Sequence, residues 1–180
     1  MKLLQRILDH ARSTRLSDGT RLFLRPLRRT DLALAYQYFA RLSDQSKYMR
    51  FMVQTPALTE ETLDSVLGAL GDERAAIVVA SVDRSRDEEV VGGGRLVPTD
   101  RHGTCEFALS VVDEWHGRGV GTAILREIVR LARVLKYHHV EGMVLSVNTK
   151  MLKVAMGLKF HAHADPRDPS ITIVSRSITG

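Results

Sequence analysis

The chain has 180 residues, of which 44% are hydrophobic and 26% charged, and 26 Lys and Arg against 21 Asp and Glu give a formal net charge of +5. This length is typical of one globular domain, here residues 1–180, and argues against a second domain. The lone cysteine, Cys105, excludes an internal disulfide framework, and no apolar run reaches the roughly 18 residues of a membrane span.

The N-terminal part of the chain alternates between helical and extended patterns. An apolar stripe over residues 2–13 predicts an extra N-terminal helix within residues 1–16. Because Arg6 and Asp9 interrupt this segment, it is neither a signal peptide nor a basic membrane-surface helix, and we expect a cytoplasmic protein with no membrane partner. After a turn at 17–20, the patterns predict a strand over 21–26 and helices over 30–39, 45–51 and 59–70.

Beyond Gly71 the pattern changes from helical to extended. Predicted strands cover 75–82, 89–97 and 104–112, and the third leads through the segment HGRGVG into a long helix with a broad apolar face over 122–136. The remaining predicted elements are a strand over 139–147, a helix over 148–158, and terminal strands from 160 onward and over 170–177. The order of these elements is that of a mixed α/β domain.

A glycine-rich turn joins the third of these strands to the long helix. Gly117, Gly119 and Gly121 stand where free backbone N–H groups and the positive end of the helix dipole can hold phosphate oxygens. The spacing is not that of a Walker loop, which needs Lys and Ser or Thr after a longer gap, nor that of a dinucleotide fingerprint. The glycines alone therefore leave two interpretations open, a phosphate cradle and a tight strand-to-helix turn.

Residues 116–121 resemble the Gln/Arg-x-x-Gly-x-Gly/Ala loop of the GNAT N-acetyltransferase superfamily, which binds the pyrophosphate of acetyl-CoA. The resemblance spans roughly Asp18 to His163 and is closest to the acetyltransferase domain of bacterial protein lysine acetyltransferases. The segments that carry it are DGTRLFLRPLRRTD, FARLSDQSKYMRF, CEFALSVVDEWHGRGVGTAIL and VNTKMLKVAMGLKF. It implies a mixed, mostly antiparallel central sheet flanked by helices, with a V-shaped opening between two parallel strands for the pantetheine arm.

The resemblance also implies which residues bind the co-substrate, acetyl-CoA. In the family the backbone before the loop pairs with pantetheine, and the loop amides hold the phosphates. Carried over residue by residue, the expected cofactor-binding residues are Ser110, Val111, Val112, His116, Gly117, Arg118, Gly119, Val120, Gly121, Thr122 and Asn148. We expect no metal, because the histidine pairs 138–139 and 161–163 offer too few ligands for zinc.

The chain departs from the family pattern at three positions. His116 stands where Gln or Arg is usual, and we expect it to tune binding, because main-chain groups hold the phosphates. Lys159 replaces a glycine. Ala155 occupies the place of a frequent general-acid tyrosine, so the thiolate of CoA must be protonated by solvent or another residue, or leave as the anion, as a thiol pKa of about 8.5 allows.

Glu106 is the predicted catalytic base. A lysine-type amine has a pKa of about 10.4, so only about one molecule in a few thousand is nucleophilic at neutral pH, and a positioned carboxylate can take the proton. Glu106 lies on the strand that leads into the loop, and its ten-residue distance from the loop resembles that of the family's catalytic glutamate. The alternative is an exposed or salt-bridged glutamate on that strand.

Other residues are weaker candidates for chemistry. Cys105 should face the opposite side of the strand from Glu106, which favours a buried structural thiol over an acyl carrier. The glycines at 92–94 have no helix behind them, so they indicate a bulge or a close approach of the substrate to the backbone. The N-terminal arginines lack aromatic interleaving and a recognition helix, so we expect no nucleic-acid partner.

Two functions from different classes fit these observations. The first is an enzyme that moves an acetyl group from acetyl-CoA to a primary amine by direct attack in a ternary complex. Its leading acceptor is a protein lysine, with a small-molecule amine as the alternative. The second is a non-catalytic acyl-CoA-binding regulatory module, which the missing tyrosine makes conceivable. Glu106 separates the two, because a sensor has no need of a carboxylate there.

Overall fold

The computed structural model describes residues 10–52, 68, 72–84 and 87–178. Within these residues, eight strands form one sheet in the order β1-β2-β3-β4-β5-β6-β8-β7. The strands are β1 Arg12–Arg15, β2 Arg21–Pro26, β3 Ala76–Arg84, β4 Asp87–Pro98, β5 Thr104–Val111, β6 His139–Leu145, β7 His161–Ala164 and β8 Ile171–Ser177. The described α-helices are α1 Leu32–Ala40, α2 Asp44–Phe51, α3 Val120–Val134 and α4 Thr149–Gly157.

One pair of strands in this sheet is parallel, and every other neighbouring pair is antiparallel. The parallel strands, β5 and β6, pair only from Thr104 with His139 to Glu106 with Glu141. Beyond that point β5 continues alongside β4 and β6 continues alongside β8, so the two strands part. The predicted mixed, mostly antiparallel sheet with its V-shaped opening is confirmed.

The long helix α3 packs across β3, β4 and β5 with a broad apolar face. Its buried apolar residues are Val120, Ala123, Ile124, Leu125, Ile128, Val129, Leu131 and Ala132. The helix lies close to β4 because Gly92 and Gly94 have no side chains, and a Cβ at either position would lie 2.7 Å from a methyl group of Ile124. The register of β4 against β3 also shifts beside these glycines, so a bulge and a close helix approach explain them together.

We expect Gly94→Val to destabilise the protein by about 1–3 kcal/mol, because the new side chain must displace Ile124 and Ile128 from a packed core. Chemical denaturation of the two proteins measures this difference. The control is Gly157→Ala at the end of α4, where a Cβ meets nothing within 4 Å and helix propensity favours alanine. A Gly94→Val protein as stable as the parent would contradict the packing explanation.

The prediction of an N-terminal helix is wrong where the structure describes that segment. Arg12–Arg15 is a strand that pairs antiparallel with Arg21–Leu24, and the turn between them places Gly19 at a φ of +84°. Ser13 and Thr14 have weak helix propensity, so the hydrogen bonds of a two-stranded edge outweigh the short apolar stripe. Residues 2–9 of the predicted helix, and most of the predicted helix over 59–70, lie outside the described residues.

The other predicted elements are present with small shifts in their ends. The predicted polar turn at 83–87 is shorter, because β3 extends to Arg84 and β4 begins at Asp87. The helix predicted from residue 30 begins as a short 3-10 turn at Arg29–Asp31 and continues as α1. In the described part of the chain, no helix is long and apolar enough to cross a membrane.

Candidate functional site

The gap between the parting strands is the mouth of a cleft with a volume of about 510 Å³. Its walls come from β5, β6, the glycine-rich turn, α2 along its length and the N-terminal parts of α3 and α4. Most of the predicted cofactor residues line it: Ser110, Val111, His116, Gly117, Gly119, Val120, Gly121, Thr122 and Asn148. The fold therefore brings into one cleft residues that the sequence places on a strand, a loop and two helices.

The glycine-rich turn presents backbone donors to this cleft. Gly117 and Gly119 have φ values of +74° and +94°, a left-handed conformation that side-chain-bearing residues rarely adopt. Because Ala123 is bonded through its N–H to the Gly119 carbonyl, the N–H groups before it in α3 have no partner within the helix. With the positive end of the helix dipole behind them, these groups form a preformed site for phosphate oxygens.

The side chain of Arg118 supports this turn from outside the cleft. Its guanidinium lies 4.0 Å from the centroid of the buried Trp115 ring, and its Nε donates to the Asp18 carboxylate at 3.0 Å. The hydrogen bond from Arg118 lowers the pKa of Asp18 to about 2. Arg118 therefore fixes the loop to the β1–β2 turn, and it is not among the residues that line the cleft.

The backbone of β5 near the loop is partly engaged within the protein. Val112 donates its N–H to the Val91 carbonyl at 2.9 Å and accepts from the Trp115 N–H at 2.8 Å, and it does not line the cleft. The prediction that Val112 pairs with pantetheine is therefore not supported by its surroundings. His116 Nε2 lies 2.9 Å from the Val111 carbonyl oxygen, and since a carbonyl only accepts, this nitrogen carries the hydrogen.

Asn148 begins the helix on the opposite wall of the cleft. Its side-chain oxygen accepts the Met151 N–H at 3.1 Å and so caps α4. This bond leaves the side-chain amide N–H groups of Asn148 as donors beside the cleft. A direct contact between Asn148 and acetyl-CoA stays a prediction.

Helix α2 is fixed over the cleft by a carboxylate from the segment that precedes the loop. Asp113 accepts from the Ser43 N–H at 3.0 Å, from the Ser43 hydroxyl at 2.8 Å and from the Ser46 hydroxyl at 3.0 Å. Burial acts to raise the pKa of Asp113, but these hydrogen bonds outweigh it and hold the pKa below its usual range. Ser43 also caps α2, so one small network positions the helix that carries Arg50.

Glu106 lies at the last position where β5 and β6 pair. Strand alternation and register place it on one face with Val97 of β4 and Glu141 of β6. Glu141 forms an ion pair with Arg101, whereas Glu106 is half-buried where the two strands part, next to the cleft-lining Phe107 but not itself among the residues that line the cleft. The geometry is compatible with the predicted base, and its role stays a prediction.

Cys105 faces the other side of β5, as its alternation with Glu106 predicts. The thiol is fully buried in the core, and burial raises its pKa to about 12. A thiol that stays protonated at neutral pH is a poor nucleophile, so Cys105 is not suited to carry an acyl group.

Two arginines that the sequence did not single out share the face of Glu106 with Tyr38, one of the four tyrosines that could replace the missing general acid. Tyr38 donates its hydroxyl to the Ser110 carbonyl at 2.9 Å and lies 2.6 Å from the Ser110 hydroxyl. Arg50 lines the cleft and also a second, apolar cavity of about 100 Å³, which Tyr38 and Arg95 line as well. The alternation of β4 could have indicated from the sequence that Arg95 lies on the face of Glu106. Nothing in the sequence distinguishes Tyr38 and Arg50 from ordinary helix residues.

No group of three or more potential metal ligands comes together in the described ranges. The donors that face the cleft are instead main-chain N–H groups and basic side chains, which suit an anion. A parallel pair that opens into a cleft, with unpaired main-chain N–H groups at one end and a carboxylate near the other, is a domain suited to a long phosphorylated ligand.

Comparison with known proteins identifies the family. A family model described as "Acetyltransferase (GNAT) domain" matches residues 21–161. Acetyltransferase PA5475 of Pseudomonas aeruginosa is 26% identical over 162 residues, which is 88% of this chain and 84% of that protein. The chain belongs to the GNAT acetyltransferase family, and it is an N-acetyltransferase that uses acetyl-CoA as co-substrate.

Solved structures share the fold at low sequence identity. The GNAT domain of S. lividans PAT has a TM-score of 0.82 and 23% identity, covering 93% of this chain and 97% of that one. A GNAT superfamily phosphinothricin acetyltransferase from Sinorhizobium meliloti, solved in complex with AcCoA, has a TM-score of 0.68 and 18% identity, with 86% of each chain covered. These likenesses confirm the predicted fold class.

Proposed function

We propose that this protein acetylates a primary amine by direct attack of the amine on bound acetyl-CoA in a ternary complex, with a protein lysine as the leading acceptor. One observation carries the proposal: a single strand, β5, leads from a half-buried carboxylate to an anion-binding turn along the open edge of the cleft. The resemblance to protein lysine acetyltransferases supports a lysine acceptor. The likeness to a phosphinothricin acetyltransferase supports a small-molecule amine as the second candidate.

The length of β5 separates the two ends of the site. The end of the strand, Val111, is five residues further along than Glu106, which is a distance of roughly 17 Å at the rise of an extended chain. The phosphates of acetyl-CoA are then held at the loop, and the acetyl group is directed toward the base of the opening. The backbone edge of β5 that faces the cleft is free of β6 over this stretch and can pair with the pantetheine arm.

The chemistry at the base of the opening begins with a proton. At neutral pH the acceptor arrives as an ammonium ion, and releasing its proton costs about 4–5 kcal/mol. Glu106 takes this proton, directly or through water, and the amine nitrogen then attacks the thioester carbonyl carbon. The new C–N bond replaces the C–S bond, and CoA departs as a thiolate, whose pKa of about 8.5 makes it a tolerable leaving group. The nitrogen loses its second proton as the amide forms, and this proton passes to the thiolate or to solvent. Because Cys105 is buried with a raised pKa, a direct attack is favoured over an acyl-enzyme.

The general acid is not supplied by the position that the family pattern uses. Ala155 is fully buried in the core and does not line the cleft. Among the four tyrosines, Tyr38 contacts β5, whereas Tyr137 donates to the Arg74 carbonyl and Tyr36 and Tyr48 are exposed. Burial raises the pKa of Tyr38 to about 12, so a proton transfer from Tyr38 to the CoA thiolate is unfavourable by roughly 5 kcal/mol.

We therefore expect Tyr38→Phe to lower kcat by less than about tenfold and to leave the basic side of the pH–rate profile unchanged. The lost hydroxyl removes a buried hydrogen bond to Ser110, so a loss of stability of about 1 kcal/mol accompanies it. Steady-state rates over a range of pH, with Tyr137→Phe as the matched control, measure both effects. A selective collapse of kcat with both substrates still bound would make Tyr38 the general acid.

The proposed function is tested by measuring free CoA release and following acetyl transfer by mass spectrometry. Protein lysine, polyamine and aminoglycoside acceptors are offered in parallel to the purified protein with acetyl-CoA. Stoichiometric release of CoA with acetylation of a lysine side chain supports the leading proposal, and acetylation of a small amine alone supports the second. Tight acetyl-CoA binding without transfer to any amine would favour the regulatory module.

A further inference from the structure

Two arginines lie near the predicted base, Arg50 at the border of the cleft and the adjoining apolar cavity, and Arg95 in that cavity. The strand register places Arg95 of β4 opposite Ala108 of β5. Ala108 is two residues after Glu106, so the side chains of Arg95 and Glu106 lie on the same face of the sheet. Arg50, at the end of α2, lines the cleft, and its charge interacts with those of Arg95 and Glu106. A basic pair and the carboxylate of Glu106 therefore lie close together on one face of the sheet.

Arg50 differs from Arg25 and Arg41, two other partly buried arginines, in how its charge is balanced. Arg25 holds Asp31 at 2.6 Å and Glu88 at 2.7 Å, and Arg41 holds Glu89 at 2.7 Å. Within the described part of the chain, the Arg50 guanidinium makes no ion pair with a carboxylate. The next residue, Phe51, packs its ring against this guanidinium, with 4.9 Å from the Arg50 Cζ to the ring centroid.

The surroundings of Arg50 favour an incoming anion. Burial, followed by the nearby charge of Arg95, lowers the pKa of Arg50 to about 10. A partly buried guanidinium gains much from a carboxylate, because its planar fork donates two parallel hydrogen bonds to the two oxygens. Glu106 cannot serve as that partner and also accept a proton freely from the acceptor amine, so an anion on the acceptor itself would complete the site.

We propose that Arg50, with Arg95 beside it, binds a carboxylate carried by the acceptor amine. The inference rests on the proposed acetyl transfer at this site and names the substrate class: a primary amine with an acidic group within reach of it. Such a group is available from two sources, the carboxylate of a free amino acid and an acidic side chain beside a lysine in a protein. Bound in this way, the acceptor has its acid at Arg50 and its amine toward Glu106.

The test compares acceptors that differ only in the acid. A series of linear amino acids is offered against their primary amides, and lysine peptides with Glu beside the lysine are offered against the same peptides with Gln. In the series that contains the true acceptor, we expect kcat/KM to be roughly ten- to a hundredfold higher for the acid than for its uncharged counterpart. This is the contribution expected of a hydrogen bond between charged groups. Preference within the first series identifies a free amino acid, and preference within the second identifies an acidic protein sequence.

Variants then assign the preference to Arg50. Arg50→Gln is expected to bring the ratio of kcat/KM for acids over amides to about one, and Arg50→Lys to retain part of the preference, since Lys keeps the charge without the fork. Arg133→Gln on the exposed surface of α3 removes the same charge elsewhere and serves as the control. Thermal melting and acetyl-CoA affinity check that each variant is folded.

A binding measurement separates this inference from the proposed function. Calorimetry compares the binding of an N-acetylated acid with that of its N-acetylated amide in the presence of CoA, and it requires no turnover. If the acid binds more tightly, and this difference disappears in Arg50→Gln, the anion site is supported even where no transfer is observed. Equal binding and equal rates for acids and amides would overturn the anion site while leaving acetyl transfer intact. An equal loss with acids and amides in Arg50→Gln would also overturn it and make Arg50 a residue that positions Glu106.

Discussion

Glu106→Gln is expected to lower kcat by about a hundredfold or more at neutral pH while acetyl-CoA binding stays intact. The substitution keeps the shape of a half-buried side chain at the base of the opening and removes the group that accepts the proton. Because the acceptor then relies on the small fraction of amine that is already neutral, the loss should shrink as pH rises toward the amine pKa of about 10. Initial rates between neutral and alkaline pH measure this dependence.

The neighbouring strand offers a matched control for this prediction. Glu141 pairs with Glu106 in register, but its carboxylate is held by Arg101. Glu141→Gln should therefore cause a much smaller loss of rate, and one that does not change with pH. A Glu106→Gln protein with near-normal turnover on its best acceptor would contradict the base assignment, and a loss of equal size at every pH would leave Glu106 a residue that orients the substrate.

Gly119→Val is expected to weaken acetyl-CoA binding by tenfold or more. The residue adopts a φ of +94° at the start of α3, and a β-branched side chain there is strained by about 1–3 kcal/mol, a strain that is relieved by moving the loop amides from their positions. Calorimetry with CoA measures the affinity directly. Gly103→Val is the control, because it introduces comparable strain at a φ of +71° at the far end of β5 and should reduce stability without reducing CoA affinity. Unchanged affinity in Gly119→Val would remove the loop from the site.

Short-range patterns were sufficient for most of the elements. The helical stripe of α3, the alternation that separates Cys105 from Glu106 and the glycines of the loop are local features, and the structure keeps each of them. Local patterns failed at Arg12–Arg15, where pairing with β2 decides the conformation. They also failed for the side chain of Arg118, because its partner Asp18 is far away in the sequence.

The sequence by itself determined the family, the order of the described strands and helices from Arg21 onward, and the loop that suits phosphates, because each depends on residues that are close together along the chain. Only the tertiary structure decided where β5 and β6 part, that Val112 has its main-chain groups engaged, and that α1 and α2 bring Tyr38 and Arg50 to the face of Glu106. Spacing along the chain carries no information about which side chains from separate elements meet. That convergence is set by strand register and helix packing, which bury apolar surface across the whole domain at once.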